Sequence, residues 1–185
     1  MSQVSRLIEN YQRFVRLPWP ANLAGKQRVW FAVYPPSEER RIRARLQEFE
    51  IATRDAAHRW HQVDITGIDA RWLGTHDYRE DYFAEPTALA TVEQEFKARV
   101  VTEIRAGCEA AGVDSSTVVA VLGAGSLFGY VHVSSIISAV EDHIKGRLLI
   151  FFPGEYERNL YRFMDARDGF NYMAVPITCG EMINV

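Results

Sequence analysis

The chain of 185 residues is poor in cysteine and has no long hydrophobic run. Its two cysteines, Cys108 and Cys179, lie far apart without a CxxC neighbour, which favours reduced thiols over a disulfide framework. No stretch approaches the roughly 18 consecutive apolar residues that a membrane-spanning helix needs. The amino terminus lacks the charged and then apolar pattern of a signal peptide. We therefore expect a soluble, cytoplasmic protein without membrane contact.

The sequence also lacks an excess of positive charge. Its formal net charge is -3 and its isoelectric point is near 6.0, whereas nucleic-acid-binding domains are usually basic. Arginine outnumbers lysine 18 to 3, and arginine favours bidentate ion pairs and protein interfaces. Direct binding of nucleic acid is therefore not expected. A local patch of Arg40, Arg41, Arg43 and Arg45 leaves a DNA-contacting subunit open as an alternative.

Motifs of the common catalytic sites are absent from the sequence. A Walker A loop needs GxxxxGK[ST] after a strand, but Gly25 and Lys26 are followed by Gln27 and precede the first predicted strand. A nucleophile elbow needs GxSxG, and the glycine spacing around Ser126 fails by one residue. We predict no catalytic residues, no cofactor and a non-enzymatic protein.

Candidate metal ligands are few. His58 and His61 are three positions apart, with Asp64 nearby, and on a helix they would form half of a metal site. His61 falls in a predicted strand, however, and there is no HExxH motif, so no metal site is predicted. Asp165 and Asp168 lie among arginines, which favours internal ion pairs over an acid–base pair.

Hydrophobic patterning predicts alternating helices and strands. Amphipathic spacing indicates helices over 4–15, from Ser37 onwards and over 86–111. Short apolar runs indicate strands at 28–34, 60–66, 117–122, 147–152 and 172–177. The fourth strand, 147–152, is expected to stop at Pro153-Gly154. Ser134 or Ser135 is expected to cap the helix that precedes this strand. Pro176 indicates an edge or terminal position for the last strand.

This alternation predicts an α/β fold, with a mostly parallel central sheet and helices on both faces. The expected architecture is a Rossmann-like or P-loop-like three-layer sandwich that lacks a Walker A motif. No repeat or linker interrupts the pattern, so residues 1–185 are expected to form a single α/β domain.

The glycine-rich turn GAGSLFG, at 123–129, is the most site-like stretch. It follows a strand at the carboxyl end, where open α/β sheets bind ligands, and Gly123, Gly125 and Gly129 read as GxGxxxG. The dinucleotide fingerprint also needs an acidic residue about 20 residues later, and here the next strand has no acid until Glu155. We favour a structural turn and keep nucleotide or dinucleotide binding as an alternative.

Two aromatic clusters allow two interpretations. One comprises Tyr78, Tyr82 and Phe83; the tail cluster comprises Tyr156, Tyr161, Phe163, Phe170 and Tyr172. Tyrosine is common in binding hot spots, which favours a partner surface. The alternative is that these rings fill the core beneath loops.

Three strings of the sequence are distinctive in combination: RLPWPANLAGKQRVWFAVY (16–34), VAVLGAGSLFG (119–129) and GRLLIFFPGEYE (146–157), the last continuing through 160–177. Together they resemble the BrxB family of BREX phage-defence systems. The resemblance covers essentially the whole chain, although 67–115 is less diagnostic.

The resemblance implies a cytoplasmic, non-enzymatic assembly component of a BREX complex. Its direct partner would be PglZ, which carries an alkaline-phosphatase-like domain. The companion proteins are an AAA-type ATPase and a DNA methyltransferase. No catalytic residues are established for the family, so the resemblance assigns none to this chain.

A partner surface is predicted at the carboxyl ends of the strands. The loops at 123–129 and 153–158 both follow parallel strands, so they should emerge at the same edge of the sheet. The residues predicted to form this surface are Phe128, Tyr130, Glu155, Tyr156 and Arg158. The alternative is that Phe128 and Tyr156 fold inward and close the end of the sheet.

Overall fold

Six strands and seven α-helices alternate in the computed structural model, which describes residues 2–164, 166 and 169–180. The helices are α1 (Gln3–Val15), α2 (Glu39–Ala44), α3 (Leu46–Asp55), α4 (Ile68–Gly74), α5 (Arg79–Ala84), α6 (Glu93–Glu109) and α7 (Val133–Val140). The strands are β1 (Val29–Tyr34), β2 (Arg59–Asp64), β3 (Thr117–Leu122), β4 (Arg147–Glu157), β5 (Leu160–Phe163) and β6 (Val175–Ile177).

The strands form a sheet in the order β2-β3-β4-β1-β6, and every pair along this path is parallel. Among the six strands of the described residues, β5 alone runs antiparallel, paired to the end of β4. Helices cover both faces of the sheet. The predicted α/β class and three-layer arrangement are therefore confirmed.

Helices α1, α2 and α3 cover one face. Alternate side chains of β1 point to them, with Trp30, Ala32 and Tyr34 in the same buried cluster as Tyr11 and Phe49. The apolar stripe of α1 is buried as its spacing predicts. This face therefore forms because every second side chain of the strand and one stripe of each helix, repeating every 3.6 residues, are apolar and pack together.

Helices α4, α6 and α7 cover the other face, where the intervening strand residues Phe31, Val119 and Ile150 point. Helix α6 lies close to β2, and Gly107 permits this approach: a Cβ on Gly107 would clash with the side chain of Val63. The helices on this face follow β2 and β3, whereas α2 and α3 follow β1.

Several predicted boundaries differ from the structure. The helix predicted from Ser37 is divided at Arg45, whose guanidinium donates to Glu48 and to Ser5 of α1. The first part of the helix predicted over 86–111 is a 3-10 helix at Pro86–Val92. Helix α7 begins after His132, without a side-chain cap; the Ser135 hydroxyl donates to the His132 carbonyl.

The prediction that the fourth strand ends at Pro153-Gly154 is wrong. Strand β4 continues to Glu157 and forms a hairpin with β5, through a turn in which Arg158 and Asn159 both have positive φ. The Pro153 carbonyl accepts from the Met164 amide at 2.8 Å. A Cβ on Gly154 would clash with the Arg162 carbonyl, so this glycine permits a close approach of two strands.

In the part of the chain that the structure describes, β6 pairs with β1 and with no other strand, so Pro176 lies at the edge as predicted. Proline at this position breaks no hydrogen-bond ladder in the interior of the sheet. Among the helices described, none combines the length and the apolar character needed to cross a membrane.

Candidate functional site

The glycine-rich turn packs tightly against the loop that follows β2. Gly123 has φ +83°, and a Cβ there would clash with the backbone of Thr66. The Gly67 amide donates to the Ser126 hydroxyl at 2.8 Å. Gly123 is therefore required by positive φ and by close backbone contact, which is the structural interpretation of the turn.

The segment after the turn also differs from that of a dinucleotide-binding site. In the GxGxxG fingerprint an α-helix opens directly on the turn, and its amino terminus faces the pyrophosphate. Here Ala124–Leu127 form a 3-10 helix, and α7 begins only at Val133. The geometry thus gives little support to nucleotide binding at Gly123, Gly125 and Gly129.

The β4–β5 hairpin covers the place where doubly wound sheets bind ligands. That crevice lies at the carboxyl ends of strands whose connections leave towards opposite faces, as those of β1 and β3 do here. Strand β4 lies between them, and its hairpin places Tyr161 4.7 Å from Phe31 and Phe163 5.1 Å from Phe152, centroid to centroid. The crevice is therefore filled by aromatic side chains of the chain itself.

Most of the tail cluster belongs to this filling. Tyr161 and Phe163 are buried, and Phe170 lies 5.7 Å from Tyr161 between ring centroids. The Tyr161 hydroxyl donates to the Ala174 carbonyl at 2.6 Å, and burial strongly raises the pKa of this phenol. These rings fill the core rather than form a partner surface.

The five residues of the predicted partner surface do not lie together. Hairpin side chains alternate: Tyr156 packs on Tyr161 with centroids 4.6 Å apart, whereas Glu155 faces the other way and pairs with Arg162 at 3.5 Å. Arg158 is exposed in the hairpin turn. Of the inward folding considered for Phe128 and Tyr156, only Tyr156 shows it.

Phe128 and Tyr130 line a different part of the same edge. The Phe128 side chain is 40% exposed, with its ring centroid 5.9 Å from that of Phe163. Tyr130 is half-buried, 5.0 Å from the Phe96 ring. The shared edge predicted for the two segments is therefore real, but it carries two separate surfaces.

Three adjacent clefts run from Phe128 towards α4. The first, of about 400 Å³, and the second, of about 250 Å³, share Glu93, Gly129 and Tyr130. The third, of about 300 Å³, shares Trp72 with the second. We call this series the acidic groove; its principal residues are Trp72, Asp77, Tyr78, Glu93, Phe128 and Tyr130.

One chain segment that contributes to all three clefts is strongly negative, and three of its acids, Asp77, Glu93 and Glu95, line them. Residues 68–95 contain seven acidic residues and two arginines, an excess of five negative charges, whereas the whole chain has a net charge of -3. The rest of the chain is therefore net positive. Burial, and then the charge of Asp69, raise the pKa of Tyr130. The net charge of the whole chain does not reveal this negative segment, but counting charged residues over a window of the sequence does.

The exposed aromatic residues of the first cluster belong to the same negative segment, 68–95. Tyr78 is 64% exposed and Phe83 62% exposed, while Tyr82 is half-buried, its ring centroid 5.0 Å from that of His76. Helix α5, which carries Tyr82 and Phe83, contributes no fully buried residue. This cluster supplies surface, unlike the tail cluster.

Three of the four arginines of the patch pair with neighbouring carboxylates, whereas Arg40 is exposed and makes no ion pair among the described residues. The shortest nitrogen–oxygen distances are 3.0 Å for Arg41 and Glu38, 2.7 Å for Arg43 and Glu39, and 2.6 Å for Arg45 and Glu48. Paired arginines contribute little to the phosphate contacts on which DNA binding depends. The charge arrangement thus disfavours DNA contact through this helix.

The two histidines considered as metal ligands lie on opposite sides of the sheet. His58 stacks on Trp19 with centroids 3.6 Å apart, whereas His61 lies close to Gly107 of α6. Strand alternation separates side chains three positions apart in this way. The described residues contain no cluster of three or more His, Cys, Asp or Glu suited to a metal ion. Asp165 and Asp168 lie outside those residues.

Comparison with family models, curated proteins and solved structures gives no significant match to this chain.

Proposed function

We propose that this protein is a non-enzymatic adaptor of a BREX phage-defence complex, and that it binds a PglZ-type protein. The observation that supports the adaptor role is that some aromatic side chains at the carboxyl edge of the sheet are buried while others are exposed. The hairpin rings Tyr161 and Phe163 fill the ligand crevice, while Tyr78 and Phe128 remain exposed beside open clefts. The resemblance to the BrxB family supports the choice of partner.

The adaptor role fits the chemistry of the site. Large aromatic side chains beside clefts supply contact area at protein interfaces. A cytoplasmic complex with a PglZ-type protein could further include the AAA-type ATPase and the DNA methyltransferase. In that setting DNA contact falls to other subunits, consistent with the acidic chain and its paired arginines.

Co-purification tests the partner. The tagged chain is co-expressed with the PglZ-type protein of its own operon, and separately with the ATPase and the methyltransferase. We expect a complex with the PglZ-type protein that survives size-exclusion chromatography. A complex with the ATPase alone would refute the partner assignment, and no complex with any of the three would refute the adaptor role.

Nucleotide binding at the glycine-rich turn is the second candidate, because that turn leaves the carboxyl end of a central strand. Calorimetric titration of the isolated protein with ATP and with NAD should show no binding. Micromolar affinity that disappears in a folded Gly125→Val variant would overturn the proposal and make the turn a ligand site.

A further inference from the structure

The acidic groove combines exposed aromatic side chains with carboxylates. Its exposed aromatic rings are Tyr78 and Phe128, at the two ends, while Tyr130 is half-buried and Trp72 is buried in the middle cleft. Its rim carries carboxylates, and among the described residues neither Asp77 nor Glu93 makes an ion pair. Exposed apolar surface next to uncompensated charge is typical of an interaction site.

We propose that the acidic groove docks a basic segment of a partner protein, with arginine or lysine flanking apolar anchor residues. The inference rests on the proposed adaptor function and adds the location and the chemistry of the contact. Anchor side chains would enter the clefts beside Phe128 and Trp72, and the basic residues would lie against Asp77 and Glu93. Charge complementarity sets orientation and association rate, while the buried anchors supply affinity.

The rim has carboxylates that a basic partner can reach. Asp77 is exposed and Glu93 is half-exposed. Glu95 is already engaged: it accepts from the Trp72 indole nitrogen at 3.1 Å and lies 3.6 Å from His76. Glu95 thus fixes the Trp72 wall, and the two other acids remain for a partner.

The sign of the charge selects the class of partner. Nucleic acids and anionic membrane surfaces are negative, so the carboxylates that line the clefts, Asp77, Glu93 and Glu95, repel both. A basic protein segment gains from the same charges. The clefts, of about 250 to 400 Å³ each, are of a size that receives individual apolar side chains.

Charge reversal with a matched control tests this inference. The groove variant is Asp77→Lys with Glu93→Lys, and the control is Asp55→Lys with Asp142→Lys. Both variants change the net charge equally. Neither Asp55 nor Asp142 makes an ion pair among the described residues, and both are exposed outside the groove. Thermal melts confirm folding of each variant.

The probe is a fluorescent amphipathic peptide of arginine, leucine and tryptophan, compared with its counterpart in which glutamate replaces every arginine. We expect the basic peptide to bind at least about tenfold more tightly than the acidic one, and the groove variant to lose about tenfold in affinity while the control changes less than about twofold. Amide shifts in the ¹⁵N-labelled protein should concentrate at Gly129, Tyr130 and the Trp72 indole.

Equal losses in the groove and control variants would overturn the inference, as would amide shifts outside the groove. A Tyr78→Ser, Phe128→Ser variant repeats the test without charge reversal, should the first variant fold poorly. The same variants are scored against the PglZ-type protein. A complex that resists both groove variants would refute the groove but leave the adaptor role intact. Peptide binding in the groove without a PglZ-type complex would refute only the proposed partner.

Discussion

The two ends of the sheet differ in whether their charged side chains are buried or accessible to solvent. At the amino end Arg147 is only 4% exposed, yet its guanidinium lies 4.8 Å above the Trp19 ring and donates to the Pro20 carbonyl. Burial, and then Arg28, lower the pKa of Arg147 to about 10, so it remains protonated at neutral pH. At the carboxyl end Asp77 is exposed and Glu93 is half-exposed, each at the edge of a cleft.

This difference separates a structural charge from one that is available to a partner. The Arg147 cation is enclosed by indole faces and backbone carbonyls, which hold the Pro18–Pro20 segment against the sheet. Asp77 and Glu93 of the acidic groove have no such enclosure among the described residues. The amino end should therefore matter for stability, and the acidic groove for binding.

Phe152→Ala should have the largest effect on stability. Phe152 is fully buried beneath the hairpin, against Phe31 and Phe163, so its loss should cost about 3 to 5 kcal/mol of unfolding free energy. Urea unfolding measures this. Phe83→Ala, on the exposed helix α5, is the control and should stay within about 0.5 kcal/mol of the parent. Similar losses in the two variants would contradict the division between hairpin core and surface.

Gly123→Ala should come next. A Cβ at this residue, with φ +83°, would clash with Thr66, and we expect a loss of about 3 kcal/mol. Gly125→Ala provides the comparison within the same turn, because no atom of the described residues lies within 4 Å of the Cβ position of Gly125. It should change unfolding free energy by less than about 0.5 kcal/mol. Urea midpoints that shift equally would show that the contact with Thr66 is not what requires Gly123.

Trp19→Ala tests the closure of the amino end. Trp19 is half-buried and contacts Trp30, His58 and Arg147, so we expect a loss of about 2 kcal/mol. The neighbouring Leu17→Ala, at a half-exposed position, is the control and should be close to neutral. Binding to the PglZ-type protein should survive in both. If Trp19→Ala abolishes binding in a folded protein, the amino end takes part in the interface.

The smallest effect should be a pH dependence from His58. Burial, and then the Arg147 cation, lower the pKa of His58 below its usual 6.5. Below about pH 6.5 the unfolded chain therefore binds more protons than the folded one at this residue, and stability decreases as pH falls. His58→Phe, which keeps an aromatic ring against Trp19, should weaken this dependence. Melting temperatures at pH 7.5 and pH 5.5, in both proteins, measure it; identical slopes would show that His58 is not responsible.

Local patterns were sufficient to predict most elements of the fold. The apolar run at 117–122 and the apolar stripe of α1 are buried as predicted. Both patterns are local, because the backbone conformation of a strand or a helix fixes which side chains of neighbouring residues share a face. The predicted end of the fourth strand at Pro153-Gly154 was wrong because it, too, was drawn from local residues alone. Proline and glycine usually end strands, and only the approach of Arg162 shows why β4 continues here.

The candidate site was predictable only in part. The sequence placed 123–129 and the β4 end at one edge, because parallel strands share their carboxyl side, but it could not separate the two faces of the hairpin. The sheet order and the acidic groove depend on residues far apart in the chain, such as Trp72 and Tyr130 in one cleft. The sequence by itself determined the elements and the charge, which are local properties. The tertiary structure alone decided which aromatic rings fill the crevice and which remain exposed, because that choice depends on long-range packing.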